Sequence, residues 1–321
     1  MTRPAAPPPA ARAIARGDRR ALARAISQVE NRDPAASGIS RALFASTGRV
    51  PVIGITGPLG VGKSSVINLL IGRLRDLDLT VGVVAVDPSS PYSGGSVLGD
   101  RIRFDRRVDD AGVFFRSMAS RGELGGVAAA TREVTRLLEA AGFDVVLVET
   151  VGSGQVDLAV RDVATTSVVI LVPHLGDEVQ TLKAGLFEIA DVFCVNKSDL
   201  PGADLARKDL SELVGLGRPR SGWTPKVVLT STVQGIGIAE LWTAIQEHEQ
   251  FLERSGGRIR EERRRLAAEI VDLARERIGR ELAQQLAHEK ELQALLDAVV
   301  ARRSDPAAAA ERLVRAVTRR R

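Results

Sequence analysis

Residues Gly57-Pro58-Leu59-Gly60-Val61-Gly62-Lys63-Ser64-Ser65 hold the most concentrated chemistry in the chain. Their spacing is GxxxxGKS, set between an apolar β-rich run and a helix-forming run. Glycines in such a loop let successive backbone N–H groups turn inward around phosphate oxygens, and the following helix N-terminus adds positive potential. Lys63 is then placed to reach the β- and γ-phosphates of a nucleotide, and Ser64 to offer its hydroxyl to Mg²⁺. A Gly-rich turn arising by chance has no reason to sit between a strand and a helix.

Three further stretches extend this site. Asn196-Lys197-Ser198-Asp199 ends a β-rich run. A carboxylate at Asp199 can accept from guanine N1–H and the exocyclic amine, a donor pair that adenine lacks; Asn196 would meet the other base edge and the Lys197 stem would cover the ring. Downstream of the phosphate loop, this pattern indicates GTP rather than ATP. Thr230, Ser231 and Thr232 follow the next run as base-side candidates, the last two offering backbone amides to guanine O6. Glu149, in Val148-Glu149-Thr150-Val151-Gly152, holds the place of the Mg²⁺-side acid, and Gly152 that of the γ-phosphate sensor. Lastly, Asp87 and Asp100 bracket a Pro/Ser/Gly-rich loop, so one or both carboxylates are candidates to be drawn to the metal when nucleotide is bound.

Composition removes other classes. The chain has 321 residues, 44% hydrophobic and 26% charged, enough for a large α/β body with appendages. No run approaches roughly eighteen apolar residues, so no membrane span is expected. The single Cys194 excludes a disulfide framework and fits a reducing cytoplasm. His174, His248 and His288 lie far apart, without metal-ligand spacing. Net charge is +5, the surplus collecting at Arg3, Arg12, Arg16 and Arg319-Arg320-Arg321; with aromatics at only 3%, nucleic acid is not expected as a partner.

The elements that must position these residues alternate. β-rich runs lie at 51–56, 80–86, 112–115, 144–149, 167–172, 191–196 and 226–230, most of them apolar throughout, as strands covered on both faces should be. Helical patterns separate many of them; one places Val127, Val134, Leu138 and Ala141 on a single face and stops at Gly142. The expected fold is α/β: a mainly parallel sheet with helices on both faces, of the P-loop NTPase kind, with N-terminal helices and a C-terminal helical arm. Residues 1–17 read as a disordered leader, since they lack Ser for a transit peptide and carry prolines that would break a helix. Residues 11–31 read as one helix. The expected divisions are a helical extension at 18–48, the nucleotide domain at 49–250, and the arm with its basic tail at 251–321, broken from the body at Gly256-Gly257. Asp305 reads as an N-cap followed by Pro306.

Longer motifs carry a family resemblance: VAVDPSSPYSGGSVLGDRIRF (84–104), SRGELGGVA (120–128), VETVGSGQ (148–155) and GDEVQTLKAGLFEIADVFCVNKSD (176–199). Over roughly residues 20 to 315, the chain resembles the MeaB/ArgK-type GTPases associated with adenosylcobalamin-dependent methylmalonyl-CoA mutase. The resemblance implies a SIMIBI-class G domain with low intrinsic GTP hydrolysis and a homodimer formed partly through the C-terminal arm. It also implies a chaperone role: gating cobalamin loading, protecting the mutase and helping release damaged cofactor. By motif, Asp87, Asp100 and Glu149 match the family's Mg²⁺ and switch acids, Gln155 falls in its second switch, and His174 to Lys183 match a third switch. Lys183 there matches a lysine implicated in activated hydrolysis. The chain departs from the pattern at His174 and Leu175, where Gly is usual, and at Val156-Asp157, in place of Ser-Glu. No Arg is plainly aimed at the γ-phosphate; Arg103, Arg106, Arg107 and Arg121 are candidates. Two alternatives stand beside this reading. A nickel-insertion metallochaperone would need a His-rich or Cys/His tract, and a P-loop kinase would need an acceptor pocket.

Overall fold

The structure is a computed structural model that describes residues 6–87, 110–119, 124–150, 160–173, 184–216, 222–288 and 290–318. Seven strands form one parallel sheet: β1 Val52–Thr56, β2 Val81–Asp87, β3 Val113–Ala119, β4 Val145–Thr150, β5 Thr166–Leu171, β6 Val192–Val195 and β7 Lys226–Leu229, in the order β3-β2-β4-β1-β5-β6-β7. Each overlaps one of the β-rich runs, and β3 continues to Ala119, past the run expected at 112–115. Residues of β1, β4, β5 and β6 are buried throughout. That is why these runs are apolar without alternation.

The helices are α1 Pro9–Ile14, α2 Arg19–Glu30, α3 Pro34–Leu43, α4 Lys63–Asp76, α5 Leu124–Ala140, α6 Ala184–Ile189, α7 Ala203–Leu216, α8 Ile238–Arg254, α9 Gly257–His288, α10 Lys290–Val300 and α11 Pro306–Thr318. One sheet face is covered by α4 and α8, whose Val66, Ile67, Leu70, Leu241 and Ile245 pack on Ile53, Ile55, Val83, Leu147 and Ile170. On the other face α1–α3 and α5 pack over Val84, Val86, Met118, Val146 and Val148. Farther along that face α6 and α7 bring Ile189 and Leu210 against Val169, Phe193 and Val195.

Three expectations change. The disordered leader does not extend through residue 17, because α1 is helical and buries Ala11 and Ile14 in the second core. Pro9 falls within its first turn, where a missing N–H removes no helical bond. The single helix expected over 11–31 is two helices. Gly17 turns at φ 81°, and Asp18 caps α2 by accepting from the N–H groups of Arg20 and Ala21. The boundary at 250 falls inside α8, which continues to Arg254 with Ile245, His248 and Leu252 buried; the first compact unit runs to Arg263.

The second unit, Arg264–Arg321, contains the rest of α9 with α10 and α11. Asp305 caps α11 through its bond from Ala308 N–H, 2.9 Å long, with Pro306 next, as the sequence indicates. Among the described residues, no helix is long and apolar enough to cross a membrane.

Candidate functional site

The phosphate-loop motif turns sharply out of β1. Gly57 has φ 142°, and a Cβ there would lie 2.2 Å from the carbonyl oxygen of Ile170 on the neighbouring β5, so only glycine fits. The loop is pinned at its middle by Val61, which is buried in the first core, while Leu59 stands 71% exposed. Gly62, at φ 92°, opens α4; its missing Cβ would come within 2.5 Å of Asn196 Nδ2.

Lys63 is only 7% exposed, and its Nζ donates to the carbonyls of Gly57 at 2.8 Å and Pro58 at 2.9 Å. The ammonium is therefore stored inside the loop, within a side-chain rotation of the space the loop encloses. Ser64 Oγ donates to Glu149 Oε1 at 2.8 Å. Glu149 is buried near the end of β4, opposite Ile55 of β1 and Ala85 of β2. One residue later, Thr150 Oγ1 donates to Thr56 Oγ1 at 3.0 Å, tying the ends of β4 and β1. Ser65, in the first turn of α4, is exposed.

The base-recognition motif arrives from the ends of β6 and β7 at the same edge of the sheet. Asn196 is fully buried: Nδ2 donates to Val61 O at 2.8 Å, and Oδ1 accepts from Thr230 Oγ1 at 3.3 Å. The sequence places Asn196 against a base edge; the fold gives its amide a tether to the phosphate loop that residue spacing did not reveal. Lys197, at φ 57°, donates from Nζ to Gly60 O at 3.0 Å. Asp199 is exposed and accepts from the Ser231 hydroxyl, leaving carboxylate lone pairs for further donors.

Thr230 and Ser231 are fully buried, and Ser231 opens a tight loop closed by bonds to Ile236. Thr232 is half-buried beside them. Gly237 ends the loop, where a Cβ would lie 1.9 Å from Leu229 O. Beneath, the Cys194 thiol lies 3.1 Å from Thr230 Oγ1, and burial pushes its pKa up to about 12. It is a packing group rather than a nucleophile.

The structure thus brings together Gly57 to Ser65, Glu149, Asn196, Lys197, Asp199 and Thr230 to Thr232. The backbone of Asp87 ends β2 two strands from β1, with β4 and Glu149 between them. Asp100, Gln155, Lys183, His174, Leu175, Val156, Asp157, Arg103, Arg106, Arg107 and Arg121 lie outside the described residues. Among the described residues, no group of three or more His, Cys, Asp or Glu is placed to hold a metal ion.

Comparison with known proteins agrees with this geometry. Residues 22–287 match the family model described as methylmalonyl Co-A mutase-associated GTPase MeaB. The chain is 42% identical to a putative GTPase of Pyrococcus horikoshii over 301 residues, covering 93% of this chain and 94% of that protein. It is 37% identical to the GTPase ArgK of Escherichia coli over 253 residues, 76% of each. Among solved structures, that of a LAO/AO transport system kinase superposes with a TM-score of 0.72 at 26% identity over 99% of both chains. With its phosphate loop, guanine-type motif and parallel sheet accounted for, the chain belongs to the MeaB family of methylmalonyl-CoA mutase-associated GTPases.

Proposed function

We propose that this GTPase is a Mg²⁺-dependent switch and chaperone for an adenosylcobalamin-dependent acyl-CoA mutase of the methylmalonyl-CoA type. It would gate cofactor loading and protect or reactivate the mutase, working in the cytoplasm as a homodimer through its C-terminal helices. The observation that carries the nucleotide half of this reading is the Asn196–Val61 hydrogen bond of 2.8 Å. It joins the phosphate loop to the base-recognition strand end, so one rigid edge can grip both ends of a guanine nucleotide. The family match supports the mutase half.

The catalytic roles follow from charge. Lys63 leaves the carbonyls of Gly57 and Pro58 for the β- and γ-phosphates, and the backbone N–H groups of residues 59–65 neutralise the rest. Asp199 selects guanine, assisted by the backbone at Ser231 and Thr232. Ser64 Oγ and Glu149 Oε1 are hard oxygen donors of the type Mg²⁺ takes, and with Asp87 and Asp100 they would hold it. When bound, the ion neutralises developing phosphate charge. Gln155 and Lys183 are assigned to positioning the attacking water and to activated hydrolysis. The test measures GTP hydrolysis with and without mutase. Acceleration by an adenosylcobalamin mutase is expected; an unchanged rate with every methylmalonyl-type mutase sinks the partner assignment.

A further inference from the structure

Besides packing on Val84, Val86, Val146 and Val148, the N-terminal layer grips β3 through side-chain hydrogen bonds from α2. Among the described residues β3 is an edge strand, bonded to β2 alone. One row of its backbone groups has no neighbouring strand, so its position depends on what grips it from the two faces. Three arginines do so. Arg75, in the last turn of α4, donates from Nε to Asp110 Oδ2 at 3.0 Å and from Nη1 to Leu79 O at 2.9 Å. Its guanidinium lies over Gly112, where a Cβ would come within 2.1 Å of Arg75 Cζ. On the opposite face Arg19, in the first turn of α2, donates from Nη1 to Val113 O at 2.6 Å and from Nη2 to Ala111 O. Arg116, on β3 itself, reaches the other end of α2 and donates from Nη2 to Ser27 Oγ at 3.0 Å and to Glu30 Oε2.

This clamp runs directly to the site. The helix that carries Arg75 in its last turn begins at Lys63 and Ser64. β3 pairs with β2 along its whole length, from Val81 opposite Val113 to Asp87 opposite Ala119. β4 pairs with β2 only as far as Val86, so among the described residues the strand neighbour of Asp87 is Ala119 of β3. Through Arg19 and Arg116, α2 thus holds β3 and with it the strand neighbour of Asp87, beyond covering a core face.

We infer that Arg116 is a positioning residue for GTP hydrolysis: by bolting β3 to α2 it holds the end of β2, and so Asp87, in register with Lys63 and Ser64. This rests on the reading of Asp87 as a Mg²⁺-side acid. The test uses the full chain carrying Arg116→Ala, with Arg116→Lys and Glu30→Gln beside it. GTP hydrolysis is titrated with Mg²⁺, and GDP affinity is measured in EDTA. The Mg²⁺ needed for half-maximal rate should rise about tenfold in Arg116→Ala, the size of effect expected when a charge-assisted bond no longer holds a ligand in place. GDP affinity in EDTA should stay at the wild-type value, and Arg116→Lys should restore part of the loss.

Unchanged Mg²⁺ dependence in both Arg116→Ala and Glu30→Gln overturns the inference. So does a parallel fall in GDP affinity in EDTA, which would mean general loosening. Should Arg116→Ala not fold, Glu30→Gln keeps the hydrogen-bonding shape and carries the same readouts. Wild-type protein that hydrolyses no GTP removes the parent reading, and the inference with it; normal wild-type turnover beside flat variants overturns the inference alone.

Discussion

Both ends of the sheet bury polar side chains, and they differ in what holds the cations there. At the carboxyl ends of the strands, Lys63 and Lys197 bind backbone carbonyls of the phosphate loop. Those bonds can be exchanged for a ligand without stranding a buried charge. At the amino ends the polar groups bind one another. Thr165 and Thr166 hydroxyls converge on Glu249 Oε1, Arg258 Nη2 holds Glu249 Oε2, and Asp191 accepts from Ser167 N–H at Oδ2 and from the Trp223 indole at its backbone carbonyl. His248 sits within this group, Nδ1 2.8 Å from Thr166 Oγ1 and its ring 5.0 Å from that of Trp223. A closed side-chain network specifies packing; a loop of carbonyls holding cations in reserve is poised for anions. Burial of polar groups does not by itself mark a site; what those groups bond to does.

With nucleotide turnover as the measure, the sharpest break at the carboxyl end is Gly57→Ala. The added Cβ meets Ile170 O at 2.2 Å, so the loop must leave its path. Fluorescent-GDP titration should show binding weakened by roughly 100-fold or more, since a displacement near 1 Å in a positioning element already costs that much. Next comes Asp199→Ala, which removes two charge-assisted bonds to guanine at about 1.5–3 kcal/mol each. Calorimetry should find GTP affinity down by roughly 100-fold or more with ATP affinity unmoved. Asp199→Asn should instead favour xanthosine triphosphate, which presents a carbonyl where guanine has its amine. Retained GTP preference in either variant would refute the base assignment.

A smaller effect tests whether the tether couples the two halves. Thr230→Val keeps the shape and removes the bond to Asn196 Oδ1, worth about 1 kcal/mol. GDP affinity should fall by about fivefold, with the GTP-to-ATP ratio preserved because Asp199 is untouched. A change in that ratio would mean that Thr230 contacts the base rather than the tether.

Legibility followed the same division. All seven strands and the phosphate loop could be read because they depend on local pattern: continuous apolar runs, glycines at fixed spacing, Lys63 and Ser64 opening a helix. Asp305 and Pro306 were legible as a cap for the same reason. The early helix at residues 9–14 was not, because its prolines suggested breakage while Pro9 sits within the first turn, where proline fits. Nor did the motif reveal that Asn196 ties Val61, a contact between residues 135 positions apart. The amino-end network was invisible altogether, since Thr165, Asp191, His248 and Arg258 meet only through tertiary packing.

That network provides the smallest predicted effect on turnover and a definite one on stability. Burial lowers the His248 pKa from 6.5 to about 4, with Glu261 opposing. The 3.4 Å approach of Nε2 to Asp191 Oδ1 would favour an imidazolium, but so little of the ring reaches water that desolvation outweighs it. Above pH 6.5 the ring is neutral in both folded and unfolded chains and contributes no pH dependence. Between 6.5 and about 4 the unfolded chain binds a proton that the folded chain refuses, so stability falls as pH falls. Urea midpoints at pH 7 and pH 5 should separate for the wild type, and His248→Asn should narrow the gap while leaving GTP turnover at pH 7 within about twofold of wild type. Should His248→Asn retain the full pH gap, the ring is not the group responsible. Should it depress turnover sharply while the fold persists, the two ends of the sheet are coupled, and the division between packing and chemistry drawn above fails.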